Sequence, residues 1–196
     1  MDGGLCPPHP QTKGLCPFVN PLKNTYGRTT MPLIWKEACK KKWIDPQDIE
    51  KRVTQLKKSG KTIATLNGSF DLLHAGHLHI IFEASKLADV LIVALNSDAS
   101  VRGYKGEGKP LVPLQYRLQL ISALGFVDYV TWFDELDPRA ILGKICPDVH
   151  VNGAEYGENC IEKEVVVAGG GRLHLVERID GLSTTDIIKK ITVLCG

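Results

Sequence analysis

Five short apolar segments, TIATLN (62–67), VLIVALN (90–96), DYVTWF (128–133), VHVN (149–152) and RLHLVE (172–177), alternate along the chain with helical patterns. Strands that are apolar throughout, with no polar alternation, need cover on both faces, which a parallel sheet flanked by helices provides. The βαβα order therefore predicts an α/β fold with a doubly wound, five-stranded parallel sheet. Helices are expected near 76–88, 114–124, 137–145, 160–168 and 183–194. Ahead of the first strand, DPQDIEKRVTQLKKSG reads as a further helix: Asp45 as cap, Pro46 in the first turn, Ile49, Val53 and Leu56 at helical spacing, Gly60 as the stop.

A chain of 196 residues is long enough for one well-cored domain. Residues 1–30, with Pro7, Pro8, Pro10 and Pro17 and no periodicity, read as a flexible leader, and Met31 offers a second start. Residues 31–60 form an N-terminal helical segment and 61–196 the principal domain. No apolar stretch reaches the ~20 residues of a bilayer span. The formal charge is +2, from 24 basic and 22 acidic residues, which gives no global field for nucleic acid. Lys36, Lys40, Lys41 and Lys42, beside Trp35 and Trp43, read as a solvated helix face. The six cysteines include no CxxC pair and no secretory signal precedes them, so reduced thiols in a cytoplasmic protein are expected.

In doubly wound sheets, ligands sit at the carboxyl ends of strands, where the chain order reverses. The stretch TLNGSFDLLHAGHLHII (65–81) places such a turn after the first strand, from Asn67 to His77. Gly68 and Gly76 let backbone approach a ligand closely. A helix starting near Ala75 aims free N–H groups and about half a positive charge at it, which suits phosphate. His74 and His77, three apart across the helix start, each offer an N–H donor. A zinc site is unsupported: His79, two residues on, is expected off that face, no cysteine is near, and only Asp71 could join. The turn is not GxGxxG, and Gly169, Gly170 and Gly171 precede a strand instead of following one, so a dinucleotide site is also unsupported.

GSFDLLHAGH resembles the HxGH signature of the cytidylyltransferase-like nucleotidyltransferases, which implies their Rossmann-like fold over roughly 62–194. NSDASVRGYKGEGKPLVPLQYRLQLISALGFVDYV, GAEY (153–156) and DGLSTTDII (180–188) resemble, in order, segments of the adenylyltransferase domain of bacterial ADP-heptose synthases. That resemblance implies a site in which His74, His77 and Lys105 are catalytic. It implies nucleotide contacts from Asn67, Gly68, Ser69, Phe70, Asp71, Gly76, Arg117, Asn152, Gly153, Ser183, Thr184 and Thr185, and contacts to the second substrate from Glu155, Tyr156 and Arg178. Lys105 is expected in a glycine-flanked loop as a mobile cation, with Lys109 as its understudy. Arg117 could equally be a surface arginine or pair with Asp128. Asp71 is an orienting residue, a metal contact or a turn-stabilising aspartate, and STTD (183–186) a phosphate-holding helix start or a plain cap.

The implied reaction joins ATP to a sugar phosphate, of the heptose 1-phosphate kind, giving an ADP-sugar and pyrophosphate, with Mg²⁺ accompanying the nucleotide. Lipopolysaccharide biosynthesis is the implied setting and a homodimer the implied assembly. No sugar kinase domain fits before the first strand, so the sugar phosphate is expected from another protein. Ser69 stands where these adenylyltransferases have cysteine, a small-for-small exchange. Arg178 instead matches the RTEGISTT pattern of glycerol-3-phosphate cytidylyltransferases, which keeps CTP and an alcohol phosphate as the alternative. A regulatory nucleotide-binding module without turnover is a third reading. A class I aminoacyl-tRNA synthetase is disfavoured by the lack of a KMSKS-like segment.

Overall fold

A computed structural model describes residues 34–157, 159–177 and 183–195. The leader expected at 1–30, the start at Met31 and Arg178 lie outside the described residues. Strands β1 (Ile63–Gly68), β2 (Val90–Asn96), β3 (Tyr129–Phe133), β4 (Val149–Gly153) and β5 (Arg172–Val176) form one sheet in the order β3-β2-β1-β4-β5. Every pairing is parallel. The winding reverses between β1 and β4, so the switch point falls beside the carboxyl end of β1, where the histidine turn begins.

Burial follows from cover on both faces: β2 and β4 are buried at every position. On one face, Leu66, Leu91, Val93 and Val151 pack with Ile81 of α3 (Ala75–Ser85) and with Leu118 and Ile121 of α5 (Leu114–Ser122). On the other, Ile63, Ile92 and Ala94 meet Ile49 and Val53 of α2 (Ile49–Lys58) and Ile141 and Ile145 of α6 (Arg139–Ile145). Helices α7 (Lys163–Ala168) and α8 (Thr184–Cys195) flank β5 in sequence. Among the described residues no helix is long and apolar enough to cross a membrane.

Three local features depart from the sequence reading. The helix expected from Asp45 begins at Ile49, because the Asp45 carboxylate accepts from the Gln47 N–H and holds a turn instead. A short helix, α1 (Trp35–Lys40), precedes it and packs on α5, with Trp35 Nε1 donating to Gln119 Oε1 at 2.7 Å. Between β2 and α5 lies α4 (Asp98–Lys105), capped by Ser97 Oγ, which accepts from the Ser100 N–H. Lys105 is therefore the last residue of a helix and not part of a loop; Gly106, with φ of 85°, ends it where a side chain would be strained.

Candidate active site

The turn after β1 is built to bring two imidazoles together. Phe70 has φ of 46° and folds back over Gly68, where a Cβ would come within 3.1 Å of its ring. The Phe70 ring meets His77 edge-on, with centroids 5.4 Å apart. His74 is the extended residue before α3, and its carbonyl accepts from the His77 and Leu78 N–H groups. Helix geometry leaves the Ala75 and Gly76 N–H groups without intrahelical acceptors. The His74 and His77 rings stack with centroids 3.9 Å apart. Burial, then the neighbouring His74 ring and the Lys105 ammonium, push the His77 imidazole down to about 4. At neutral pH His77 is thus an uncharged ring with one N–H, and the Leu72 carbonyl is an acceptor beside it.

Across the turn, Lys105 Nζ donates to Ser69 Oγ at 2.9 Å and stands 5.4 Å from the Tyr104 ring centroid. Burial lowers its pKa, with nearby Asp71 pulling the other way. Asp71 itself is 4% exposed, and its two oxygens accept from the Leu111 and Val112 N–H groups at 2.9 and 2.8 Å. Lys109 lies against that carboxylate at 3.9 Å and does not line the cavity described next. Arg117 is wholly buried: Nε donates to Val112 O, Nη1 to Ser69 O and Asn96 O, and Nη2 to Asp98. Its acidic partner is Asp98 and not Asp128, which accepts from the Leu91 N–H.

A cavity of about 390 Å³ opens over the strand ends. Of the expected residues, Asn67, Gly68, Ser69, Phe70, His74, Gly76, His77, Lys105, Asn152, Gly153, Glu155, Tyr156, Ser183 and Thr184 line it. Asp71, Arg117 and Thr185 do not: the first two are spent on backbone groups behind the turn, and Thr185 lies on the exposed side of α8. At the start of α8, Ser183 Oγ accepts from the Asp186 N–H and donates to the Asp186 carboxylate, a cap that still leaves Ser183 and Thr184 on the cavity wall. Thr184 Oγ1 reaches the Leu72 carbonyl at 3.5 Å, tying α8 to the histidine turn.

Asn96, Tyr104, Asp137 and Glu162, outside the expected set, also line the cavity, and His79, expected off that face, joins the wall. The signal for Asn96 was available, since it ends a strand as Asn67 does. Glu162 carried none. Among the described residues no three histidine, cysteine or carboxylate groups cluster to hold a metal ion.

The model of one family, described as cytidylyltransferase-like, matches residues 65–190. Relatives include the bifunctional protein HldE of Syntrophotalea carbinolica, 43% identical over 136 residues, 69% of this chain and 28% of the relative. The bifunctional protein HldE of Marinomonas sp. is 40% identical over 148 residues, 75% of this chain and 31% of the relative. The chain thus spans under a third of the length of either. Among solved structures, the lipopolysaccharide core biosynthesis protein from Thermoplasma volcanium aligns at a TM-score of 0.51 with 28% identity, over 61% of this chain and 98% of that one. Pantoate-beta-alanine ligase from Francisella tularensis aligns at 0.55 with 16% identity, over 77% of each chain, a likeness of fold alone. With its paired histidines at the switch point of the sheet and the match running from the first strand into the last helix, the chain belongs to the cytidylyltransferase-like family.

Proposed function

We propose that the chain is a nucleotidyltransferase that joins ATP to a sugar phosphate, of the heptose 1-phosphate kind, releasing pyrophosphate. The observation that carries the reading is the stacked His74–His77 pair at the start of α3, facing one cavity together with Lys105, Ser183 and Thr184. A phosphate oxygen of the acceptor attacks the α-phosphorus in line. The new P–O bond forms as the bond to the β-bridging oxygen breaks, and that electron pair leaves on pyrophosphate. The attacking phosphate is already an anion, so no general base is needed.

Charge that builds on the α-phosphate oxygens and the bridge meets donors fixed in advance: the imidazole N–H groups, the Lys105 ammonium and the open amides of α3. Ser183, Thr184 and the start of α8 would hold the outer phosphates. Mg²⁺ belongs to the proposal as a companion of the nucleotide, where it would neutralise phosphate charge. The Asp71 carboxylate lies behind the turn, accepting two backbone amides, and is not on the cavity wall. A homodimer acting in the cytoplasm, in lipopolysaccharide biosynthesis, completes the proposal; sedimentation velocity tests the assembly.

The experiment is a pyrophosphate-release screen that crosses ATP, CTP, GTP and UTP with phosphorylated sugars and polyols. Turnover with ATP and heptose 1-phosphate is expected. Turnover with CTP and glycerol 3-phosphate instead would move the assignment to the cytidylyltransferase alternative. Nucleotide binding with no pyrophosphate from any pair would overturn the enzymatic reading.

A further inference from the structure

Side chains at the strand ends divide by sheet face. In parallel register Thr65 stands beside His150 and Asn67 beside Ala94. Asn67, Asn96 and Asn152 therefore project from the face that α2 and α6 cover. The histidine turn and the start of α8 belong with α3, which covers the opposite face. In-line displacement places the entering and leaving oxygens on opposite sides of the phosphorus. With the outer phosphates held at α8, the entering group comes from the asparagine side.

That side holds two acceptors short of donors. Glu162, just before α7, is 6% exposed, yet among the described residues its carboxylate meets only the Asn152 amide, at 3.5 Å. Among the described residues Asn67 Oδ1 is buried with no partner. Asn152 Oδ1 is taken by the Gly153 N–H, and Asp137 by Arg139. A buried carboxylate and a buried carbonyl left this way need donors. A second phosphate or a carboxylate on the ligand brings none; sugar hydroxyls do.

We propose that Glu162, with Asn67 and Asn152, the two asparagines that the family resemblance sets against the nucleotide, forms instead the subsite for the hydroxyl-bearing body of the acceptor and sets which sugar phosphate is accepted. The assignment rests on the nucleotidyltransferase reading for which substrate enters there, while the need for donors stands on the burial of Glu162 and Asn67 alone.

The test titrates heptose 1-phosphate, and glycerol 3-phosphate as a short control, into wild type, Glu162→Gln and Glu162→Asp, each saturated with α,β-methylene-ATP. Steady-state pyrophosphate release is measured alongside. Loss of a hydroxyl bond to a charged acceptor should weaken heptose 1-phosphate about 10- to 100-fold in Glu162→Gln, in Kd and in KM. The nucleotide Kd and glycerol 3-phosphate should shift less than twofold. Glu162→Asp, which keeps the charge, covers the case in which Glu162→Gln fails to fold and should give a smaller loss of the same selectivity. Weaker nucleotide binding instead would put the nucleoside on this face and overturn the proposal; so would unchanged acceptor affinity in both variants. Wild type that binds heptose 1-phosphate in a Glu162-dependent way without releasing pyrophosphate would uphold the subsite and sink the catalytic reading. No binding of heptose 1-phosphate would remove both.

Discussion

Arg117 Nη2 donates to Asp98 Oδ1 at 2.7 Å, while the rest of the guanidinium is shared among the carbonyls of Ser69, Asn96 and Val112. One side chain thus ties the histidine turn, the end of β2 and the segment before α5. Removing it strands buried carbonyls as well as a charge. Arg117→Ala should cost about 3 kcal/mol or more of stability in urea titration. Asp98→Asn should cost about 1 kcal/mol at most, because that carboxylate is one-third exposed and solvent screens it. Equal losses in the two variants would contradict the clamp.

Asp71 works through the same segment from the other side. Both its oxygens accept backbone N–H groups, and an asparagine would turn an amide donor toward one of them. Asp71→Asn should lose about 1.5–3 kcal/mol. Hydrogen exchange at the Leu111 and Val112 amides should quicken well beyond the change at β2 amides. Protection unchanged at those two positions would show the carboxylate to be dispensable.

On the proposed mechanism, His77 stabilises charge in the transition state. His77→Ala should lower kcat about 10²- to 10³-fold, equivalent to about 2.7–4 kcal/mol, with the far-UV circular dichroism unchanged. Because its pKa lies at about 4, the kcat/KM profile should show no ionisation from this ring above pH 5. A loss under threefold would remove it from the mechanism.

The inner strands were legible because double burial writes itself as continuous apolar runs, while the edge strand β5 alternates Arg172 and His174 with leucines and is only partly buried; the segment expected at 90–96 is β2, and the other four strands begin and end within a residue of expectation. His74 and His77 were legible because chain order alone puts them at the first strand's end. The role of Arg117 was not, whereas the backbone-holding part of Asp71 was among the readings its sequence position allowed. An arginine that touches a nucleotide and one that grips Ser69, Asn96 and Val112 read identically, since the carbonyls it holds leave no trace in side-chain identity. Glu162 was hidden for a related reason: the distance from Glu162 back to Asn152 depends on how the chain returns to the strand end. Helix α4 was missed because Gly103 and Gly106 made RGYKGEGK read as loop, whereas the Ser97 cap supports a helix there.

Gly171 and Gly103 look alike in sequence and should behave differently. A Cβ on Gly171 would lie 2.1 Å from the Pro147 carbonyl oxygen, backbone at the entry to β4 that cannot swing away. A Cβ on Gly103 would lie 2.4 Å from Leu136 Cδ2, the end of a side chain that is 65% exposed. Gly171→Ala should therefore cost about 3 kcal/mol and disturb the β4–β5 pairing. Gly103→Ala should change stability by about 1 kcal/mol or less, since a helical alanine offsets the small displacement of Leu136.

Acid should weaken the fold through its buried histidines. His150 is fully buried, with Nδ1 2.8 Å from Thr65 Oγ1, and burial lowers its pKa to about 4. The unfolded chain binds that proton near pH 6.5, and the folded chain refuses it until about pH 4. The contribution of a neutral buried His150 is therefore complete above pH 6.5 and is lost as pH falls toward 4. The slope for this residue is up to about 1.4 kcal/mol per unit. His77 adds a smaller slope of the same sign, because its ring is only partly buried. Urea midpoints measured from pH 7.5 to 4.5 should hold nearly level down to about pH 6.5 and fall from there to 4.5 in wild type. His150→Asn, which keeps a partner for Thr65 and cannot titrate, should be less stable at pH 7.5 yet lose less between pH 6.5 and 4.5. Parallel slopes in the two proteins would show that His150 is not the group whose protonation drives the loss.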